Sequence, residues 1–189
     1  MSTDKLFHTE TELIAGLRDE NTRSLAFSVL LDKYQERLYW HLRKMLNDHA
    51  DADDALQNTF MKAWQNIESF RGDSKLFTWL YRVASNEGLA ILQRRKKKGM
   101  LSIHSEEEEE GPVMQIAGSV ETKGADYIER KLEEALDTLP EKQRLVFQLK
   151  YFEEMKYEEM SEVLETSVGA LKASYHHAVK KIQNFIGDI

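Results

Sequence analysis

Cysteine is absent from this chain of 189 residues, which excludes disulfide bonds and thiolate metal sites. No apolar run approaches the roughly 18 residues that a membrane span needs, and the N-terminus lacks the pattern of a secretory signal. We therefore expect a soluble, cytoplasmic protein that is not embedded in a membrane. Only two prolines and nine glycines interrupt a sequence rich in helix-forming residues. This composition predicts an all-α fold.

The stretch from Tyr157 to Ile182 has the pattern of two short helices joined by a tight turn. A turn of this kind often holds a glycine, so Glu165 or Thr166 must here adopt the left-handed conformation. The second helix is predicted to bury a stripe that advances by three or four residues: Val168, Leu171, Tyr175, Ala178 and Ile182. Its opposite side, the reading face, carries Lys172, Ala173, Ser174, His176 and His177. Cations, donors and small residues on a free helix face suit the major groove of DNA, although an ordinary helical hairpin with solvated lysines would show the same periodicity.

A second polar pattern lies in the predicted third helix, which starts near Asp51. Its apolar positions are predicted to face inward, while a polar stripe follows at i, i+3, i+4 and i+7: Asp54, Gln57, Asn58 and Met61. Without further information, such a stripe is interpreted as solvated surface.

The segment from Phe70 to Asn86 combines turn residues with a helix that is dense in aromatics. Trp79 and Tyr81 are two positions apart, so one helix cannot bury both against the same surface. One of them packs on a neighbouring helix, or one is displayed. A displayed aromatic beside cations such as Arg82 would form a stacking platform for unpaired bases.

Taken with their neighbours, these patterns resemble the small extracytoplasmic-function (ECF) group of bacterial sigma factors. The resemblance covers roughly residues 26–95 and 135–186. Four blocks in matching order carry it: DALQNTFMKAW, FRGDSKLFTWLYRVASN, LPEKQRLVFQLKYFEEMKYEEMSEVL and VGALKASYHHA.

The resemblance implies a non-catalytic specificity subunit of RNA polymerase that needs no cofactor and no metal. The polar stripe would dock on core polymerase. A strand surface would capture the opened strand of the −10 element, through Lys62, Phe70, Arg71, Asp73, Ser74, Lys75, Trp79, Tyr81, Arg82 and Asn86. The reading face would contact the −35 element as duplex. An anti-sigma factor is the further partner that the family implies.

The expected architecture is two small helical domains joined by a flexible acidic linker, with the helix-turn-helix in the C-terminal domain. The predicted boundaries are 1–98, 99–125 and 126–189, and the linker holds five consecutive glutamates from Glu106 to Glu110. A net charge of −7 predicts weak DNA binding by the chain alone, so polymerase must help it onto promoters.

Two other functions compete with that of a sigma factor. A stand-alone helix-turn-helix repressor or activator explains residues 157–182 but not the aromatic segment or the acidic total. An enzyme is disfavoured because the sequence holds no phosphate loop, no H-E-x-x-H and no nucleophile elbow.

Overall fold

The computed structural model describes residues 7–102 and 125–187. Within these ranges the chain forms eight α-helices, one short 3₁₀ helix and no strand, which confirms the predicted all-α class. The N-terminal helices are α1 (Glu10–Arg18), α2 (Arg23–Leu46), α3 (His49–Asn66) and α4 (Leu76–Ser102), with the 3₁₀ helix Ile67–Ser69 after α3. The C-terminal helices are α5 (Ala125–Asp137), α6 (Glu141–Tyr151), α7 (Tyr157–Leu164) and α8 (Val168–Gly187).

The break between α2 and α3 positions the polar stripe, and short-range chemistry accounts for it. Asn47 ends α2 in the left-handed conformation (φ 54°), which asparagine tolerates better than most residues. Asp48 then caps α3, because its carboxylate accepts a hydrogen bond from the backbone N–H of Asp51 at 2.8 Å. The helix therefore begins at His49, slightly before the predicted start.

Helix α2 is the centre of the N-terminal group. Its buried stripe includes Leu30, Leu38 and Leu42, which are fully buried against α3 and α4. On α3 the inward positions are small or aromatic, so α3 lies close to α2 and turns its polar stripe outward. Burial of an apolar helix face, such as the inward faces of α2 and α3, supplies most of the stability of a helix in a protein.

The C-terminal helices pack around α8. Ala178 and Ile182 of α8 are buried in a small cluster with residues of α5 and α6. The ring of Tyr175 is stacked on Phe147 of α6, with centroids 5.8 Å apart. The predicted inward stripe of α8 is thus confirmed, with Val168 and Tyr175 only partly buried.

The two helical groups are in direct contact. Helix α7 lies along α4, and α6 lies against α2. Side chains of both groups share one apolar core, and Arg144 and Gln148 on α6 each donate to the backbone carbonyl of Lys44 at 2.8 Å. Helix α4 continues to Ser102, past the predicted end of the first domain at 98. The predicted glutamate run of the linker lies outside the described residues.

None of the described helices combines the length and the hydropathy that crossing a membrane would require.

Candidate nucleic-acid and polymerase interfaces

The polar stripe of α3 forms one continuous outer face. Asp54 and Gln57 are exposed, Asn58 is partly buried, and Met61 keeps 58% of its surface accessible. The structure therefore brings these four residues together, as the spacing predicts. An exposed methionine among polar groups is typical of a surface that adapts to a protein partner.

Trp64 extends this face by one turn, and sequence reasoning did not single it out. Its ring is 36% exposed, packs edge-on against Phe27, and lies under the guanidinium of Arg23 at 4.5 Å. Arg23 also donates to the carbonyl of Trp64. The spacing of three residues from Met61 could have indicated this position, because residues three apart share a helix face.

The loop before α4 is held at both ends. Phe70 is 4% exposed, with its ring 5.3 Å from that of Trp79, and its carbonyl accepts from Arg18. At the other end the N–H of Leu76 donates to Glu10 at 2.9 Å, which satisfies an orphan donor of the first turn of α4. Between these anchors Gly72 has φ +82°, a left-handed conformation that favours glycine.

The polar residues predicted for the strand surface lie along this loop and one side of α4. Arg71, Asp73, Lys75, Arg82 and Asn86 are exposed, Ser74 and Trp79 are partly buried, and Lys62 on α3 pairs with Glu87 of α4. The side chain of Asn86 forms no hydrogen bond within residues 7–102 and 125–187. The loop and α4 thus assemble a cationic ridge beside a partly accessible tryptophan.

Two residues predicted for the strand surface, Phe70 and Tyr81, are instead buried in the core, and Tyr81 is completely buried. Its ring lies 4.4 Å from that of Phe77 and 5.0 Å from that of His41, and its hydroxyl donates to Glu153. Burial, reinforced by the hydrogen bond to Glu153, raises the pKa of the Tyr81 hydroxyl. Of the aromatic pair Trp79 and Tyr81, Tyr81 is the residue that packs on neighbouring helices. A stacking platform that displays the Tyr81 ring is therefore wrong for this structure.

Two cations of the strand surface are paired with carboxylates of the C-terminal helices. Lys75 donates to Glu159 at 2.8 Å, and Arg82 pairs with Glu165. The hydrogen bond from Lys75 holds the pKa of Glu159 below its usual value. No local sequence pattern could have indicated these pairs, because more than 80 residues separate the partners in each.

Helices α7 and α8 form the predicted helix-turn-helix. Glu165 takes the left-handed conformation in the turn (φ 50°), and the hydroxyl of Ser167 accepts from the N–H of Ala170 at 3.3 Å to cap α8. On the reading face, Lys172, Ala173, His176 and His177 are exposed and Ser174 is partly buried. The face is therefore accessible along its length.

Comparison with known proteins agrees with this architecture. The family model "Sigma-70 region 2" matches residues 30–98, and "Sigma-70, region 4" matches residues 129–182. The ECF RNA polymerase sigma factor SigW of Bacillus subtilis is 32% identical over 87% of this chain and 90% of its own. The ECF RNA polymerase sigma-E factor of Haemophilus influenzae is 29% identical over 85% and 87%.

Two solved structures share the fold. The sigma factor RpoE from Bartonella quintana, in complex with the anti-sigma factor NepR, matches with a TM-score of 0.66 at 23% identity, covering 85% of this chain and 96% of that one. CnrH in complex with the cytosolic domain of CnrY matches with a TM-score of 0.66 at 19% identity, covering 99% of both.

Proposed function

This chain belongs to the extracytoplasmic-function sigma factors of bacterial RNA polymerase, and we propose the division of its surface among polymerase, opened promoter strand and duplex. The polar stripe of α3 binds core polymerase. The loop of residues 71–75 and the exposed side of α4 bind the opened −10 strand. The reading face of α8 contacts the −35 duplex.

The geometry of α8 carries the proposal. Four of the five side chains predicted to contact DNA are exposed and Ser174 is partly buried, while Leu171, Ala178 and Ile182 on the opposite side hold the helix to its domain. A recognition helix needs this combination, because a side chain must reach base edges without loosening the fold. Lysine and histidine on the face can donate to guanine or phosphate, and Ala173 leaves room for a thymine methyl.

The polar stripe suits a protein partner better than DNA. Asp54 would repel phosphate, whereas Gln57 and Asn58 can both donate and accept hydrogen bonds. Met61 and Trp64 add exposed apolar surface, the kind of side chain that is enriched at protein interfaces.

The strand surface suits unpaired DNA. Arg71, Lys75 and Arg82 provide charges for the phosphates, and Trp79 provides an aromatic face. Asn86 offers both a donor and an acceptor, so it can contact the hydrogen-bonding edge of an extruded base.

The protein acts as a DNA-recognition subunit and not as an enzyme, and its place of action is the cytoplasm, where polymerase lies. An anti-sigma factor is the regulatory partner we expect, since one structure of similar fold is the sigma factor RpoE in complex with the anti-sigma factor NepR. The same reasoning predicts no metal and no cofactor.

Transcription from purified components tests the proposal. Core polymerase with this protein should initiate at specific sites on genomic DNA, whereas core polymerase alone should not. The protein alone should bind labelled promoter duplex only weakly at physiological salt, because an acidic chain releases few counterions. Nanomolar binding without polymerase, together with no specific initiation, would favour a stand-alone repressor.

A further inference from the structure

We infer that a cavity between α2 and the helices α5 and α6 binds a small anionic ligand with a planar heteroaromatic ring, of the class of a free nucleoside monophosphate. The cavity has a volume of about 660 Å³, within the range of cavities that hold small molecules. The described residues that line it include none of the polar stripe, the strand surface or the reading face. The inference therefore goes beyond the proposed function and does not depend on it.

Large apolar side chains line the cavity from both helical groups. Trp40 comes from α2, Ile128 from α5 and Tyr151 from α6, and each is more than half exposed. Apolar side chains that are exposed together, and not singly, are typical of a binding surface. Two of the three are aromatic, so a flat ring in this cavity can stack on a ring of the protein.

Two cations of α2 lie beside the aromatic surface. Arg43 and Lys44 line the cavity three and four residues after Trp40, on the same side of the helix. Neither forms an ion pair with a carboxylate in the described parts of the chain. The ammonium of Lys44 instead lies 3.6 Å from the ring centroid of Phe152. Both cations are therefore available to an anionic group of a ligand.

The carboxylates of the cavity do not cancel this positive charge. Asp137 is paired with Arg144 at 2.8 Å, so these two residues neutralise each other. Glu133 is the other acidic residue among the described ones that line the cavity, and it faces two cations. The cavity thus keeps a net positive charge, which favours an anion over a neutral or cationic ligand.

Two polar atoms in the wall of the cavity are buried without a partner. Gln148 is 2% exposed, and while its Nε2 donates to the carbonyl of Lys44, its Oε1 accepts no hydrogen bond from the described residues. The Nε–H of Arg144 is likewise unpaired within that part of the chain. A buried polar atom without a partner destabilises a fold, so such atoms need an explanation. A ligand that offers both a donor and an acceptor can satisfy them.

A nucleoside monophosphate matches all of these features. Its base can stack on Trp40, and the polar edge of the base can bond Gln148. Its phosphate can bind the two cations of α2, Arg43 and Lys44, through charge-assisted hydrogen bonds. A fatty acid would leave the buried polar atoms unpaired, and inorganic phosphate would leave the aromatic side chains open to water.

Tryptophan fluorescence tests the site, with the four ribonucleoside 5′-monophosphates as probes. The chain has three tryptophans, Trp40, Trp64 and Trp79, and a base stacked on Trp40 should quench its emission in a saturable way. Trp40→Phe removes this signal, so any decrease that remains in the variant measures absorption of light by the nucleotide. Equal quenching in the parent and in Trp40→Phe would contradict the inference.

A matched pair of lysines on α2 tests the phosphate contact. Lys44→Gln removes a cation of the cavity, whereas Lys33→Gln removes an exposed lysine that does not line it. Both variants must keep the far-ultraviolet circular dichroism of the parent. In isothermal titration calorimetry, we expect Lys44→Gln to raise the Kd of the nucleotide about fivefold, the change typical of one partly exposed ionic contact, and Lys33→Gln to leave it unchanged. Equal Kd values for the two variants would overturn the phosphate assignment.

Three further ligands distinguish the alternatives in the same titration. Adenosine lacks the phosphate and inorganic phosphate lacks the base, so each should bind about tenfold more weakly than the nucleotide. A single-stranded oligonucleotide that bound more tightly than the nucleotide, and lost this affinity in Lys44→Gln, would show that the cavity holds nucleic acid and not a free nucleotide. No binding of any nucleotide at about 1 mM would also overturn the inference. The proposed function would stand in either case, because none of these titrations contains polymerase.

Discussion

The hydroxyl of Tyr81 on α4 donates to the carboxylate of Glu153, and Arg37 on α2 contacts the same carboxylate at 3.3 Å. One glutamate from the turn before α7 therefore ties two helices of the N-terminal group to the C-terminal group. A tyrosine that the family resemblance assigns to the opened strand is here a buried part of the contact between the two groups.

Replacing Tyr81 with phenylalanine should weaken this contact without emptying the core. The ring keeps its neighbours, and Glu153 keeps Arg37, so only the hydroxyl bond is lost. We expect the free energy of unfolding, measured by urea denaturation, to fall by about 1 kcal/mol. Tyr151→Phe is the control, because Tyr151 is 55% exposed and its hydroxyl has no partner in the described residues. Equal effects of the two substitutions would contradict a role for the Tyr81 hydroxyl.

His41 should make stability depend on pH. It is buried beside Tyr81, with Nε2 3.0 Å from the hydroxyl of Ser85, and burial, together with the charge of Lys44, lowers its pKa from 6.5 to about 4. The unfolded chain thus binds a proton on His41 below pH 6.5 that the folded chain does not bind until about pH 4. The free energy of unfolding is therefore unaffected by His41 protonation above pH 6.5. As the pH falls from 6.5 to about 4, protonation of His41 in the unfolded chain lowers this free energy by at most about 3 kcal/mol.

The check compares the parent with His41→Gln, which cannot titrate. Urea unfolding from about pH 7 to about pH 5 should show the parent losing more stability than the variant, so the gap between them narrows. His177→Gln, at an exposed position, should leave the slope of the parent unchanged. Parallel curves for the parent and His41→Gln would show that His41 does not titrate in this window.

The spacing of apolar and polar residues predicted much of this structure, because the position of a residue along a helix determines which side of the helix it lies on. The period of α8 predicted which residues are inward, and the spacing on α3 predicted a continuous face of Asp54, Gln57, Asn58 and Met61. The absence of a glycine in the turn of the helix-turn-helix correctly required a residue such as Glu165 to adopt a left-handed conformation.

Contacts between the two groups could not be predicted in this way. The pairing of Lys75 with Glu159 depends on how whole helices pack, and nothing in either segment alone selects the partner. Tyr81 shows the consequence. Its spacing from Trp79 required the two rings to face different surfaces, but only the packing of α7 on α4 decides that Tyr81 is the buried one.

His177 should contribute to recognition of the −35 element and not to stability. It is exposed, whereas its neighbour Ala178 is buried. His177→Ala should change the preference for −35 sequence variants by roughly 1–3 kcal/mol, the value of one good base contact. Holoenzyme binding to a panel of −35 variants measures this, and Gln183→Ala, at an exposed position further along α8, is the control. A variant that unfolds, or one that keeps the preference of the parent, contradicts the assignment.

We expect the two faces of the N-terminal helices to bind different partners, the outer face of α3 binding polymerase and the exposed side of α4 binding the opened strand. Asp54 and Gln57 lie on the outer face of α3, while Asn86 lies on α4, exposed and without a hydrogen bond to the described part of the chain. An amide that merely bonded nearby backbone would show such a bond. The free amide is instead available to the edge of an extruded base, whose unstacking costs a few kcal/mol that contacts must offset.

Asn86→Ala should therefore leave binding to core polymerase normal and impair promoter melting, most of all for the preferred −10 base. Asp54→Ala combined with Gln57→Ala should weaken holoenzyme assembly for every promoter alike, because the loss precedes any contact with DNA. A pull-down with core polymerase, beside permanganate footprinting of the −10 region, distinguishes the two effects. If Asn86→Ala lost polymerase binding, or melted every −10 variant as well as the parent does, the division between the two faces would be wrong.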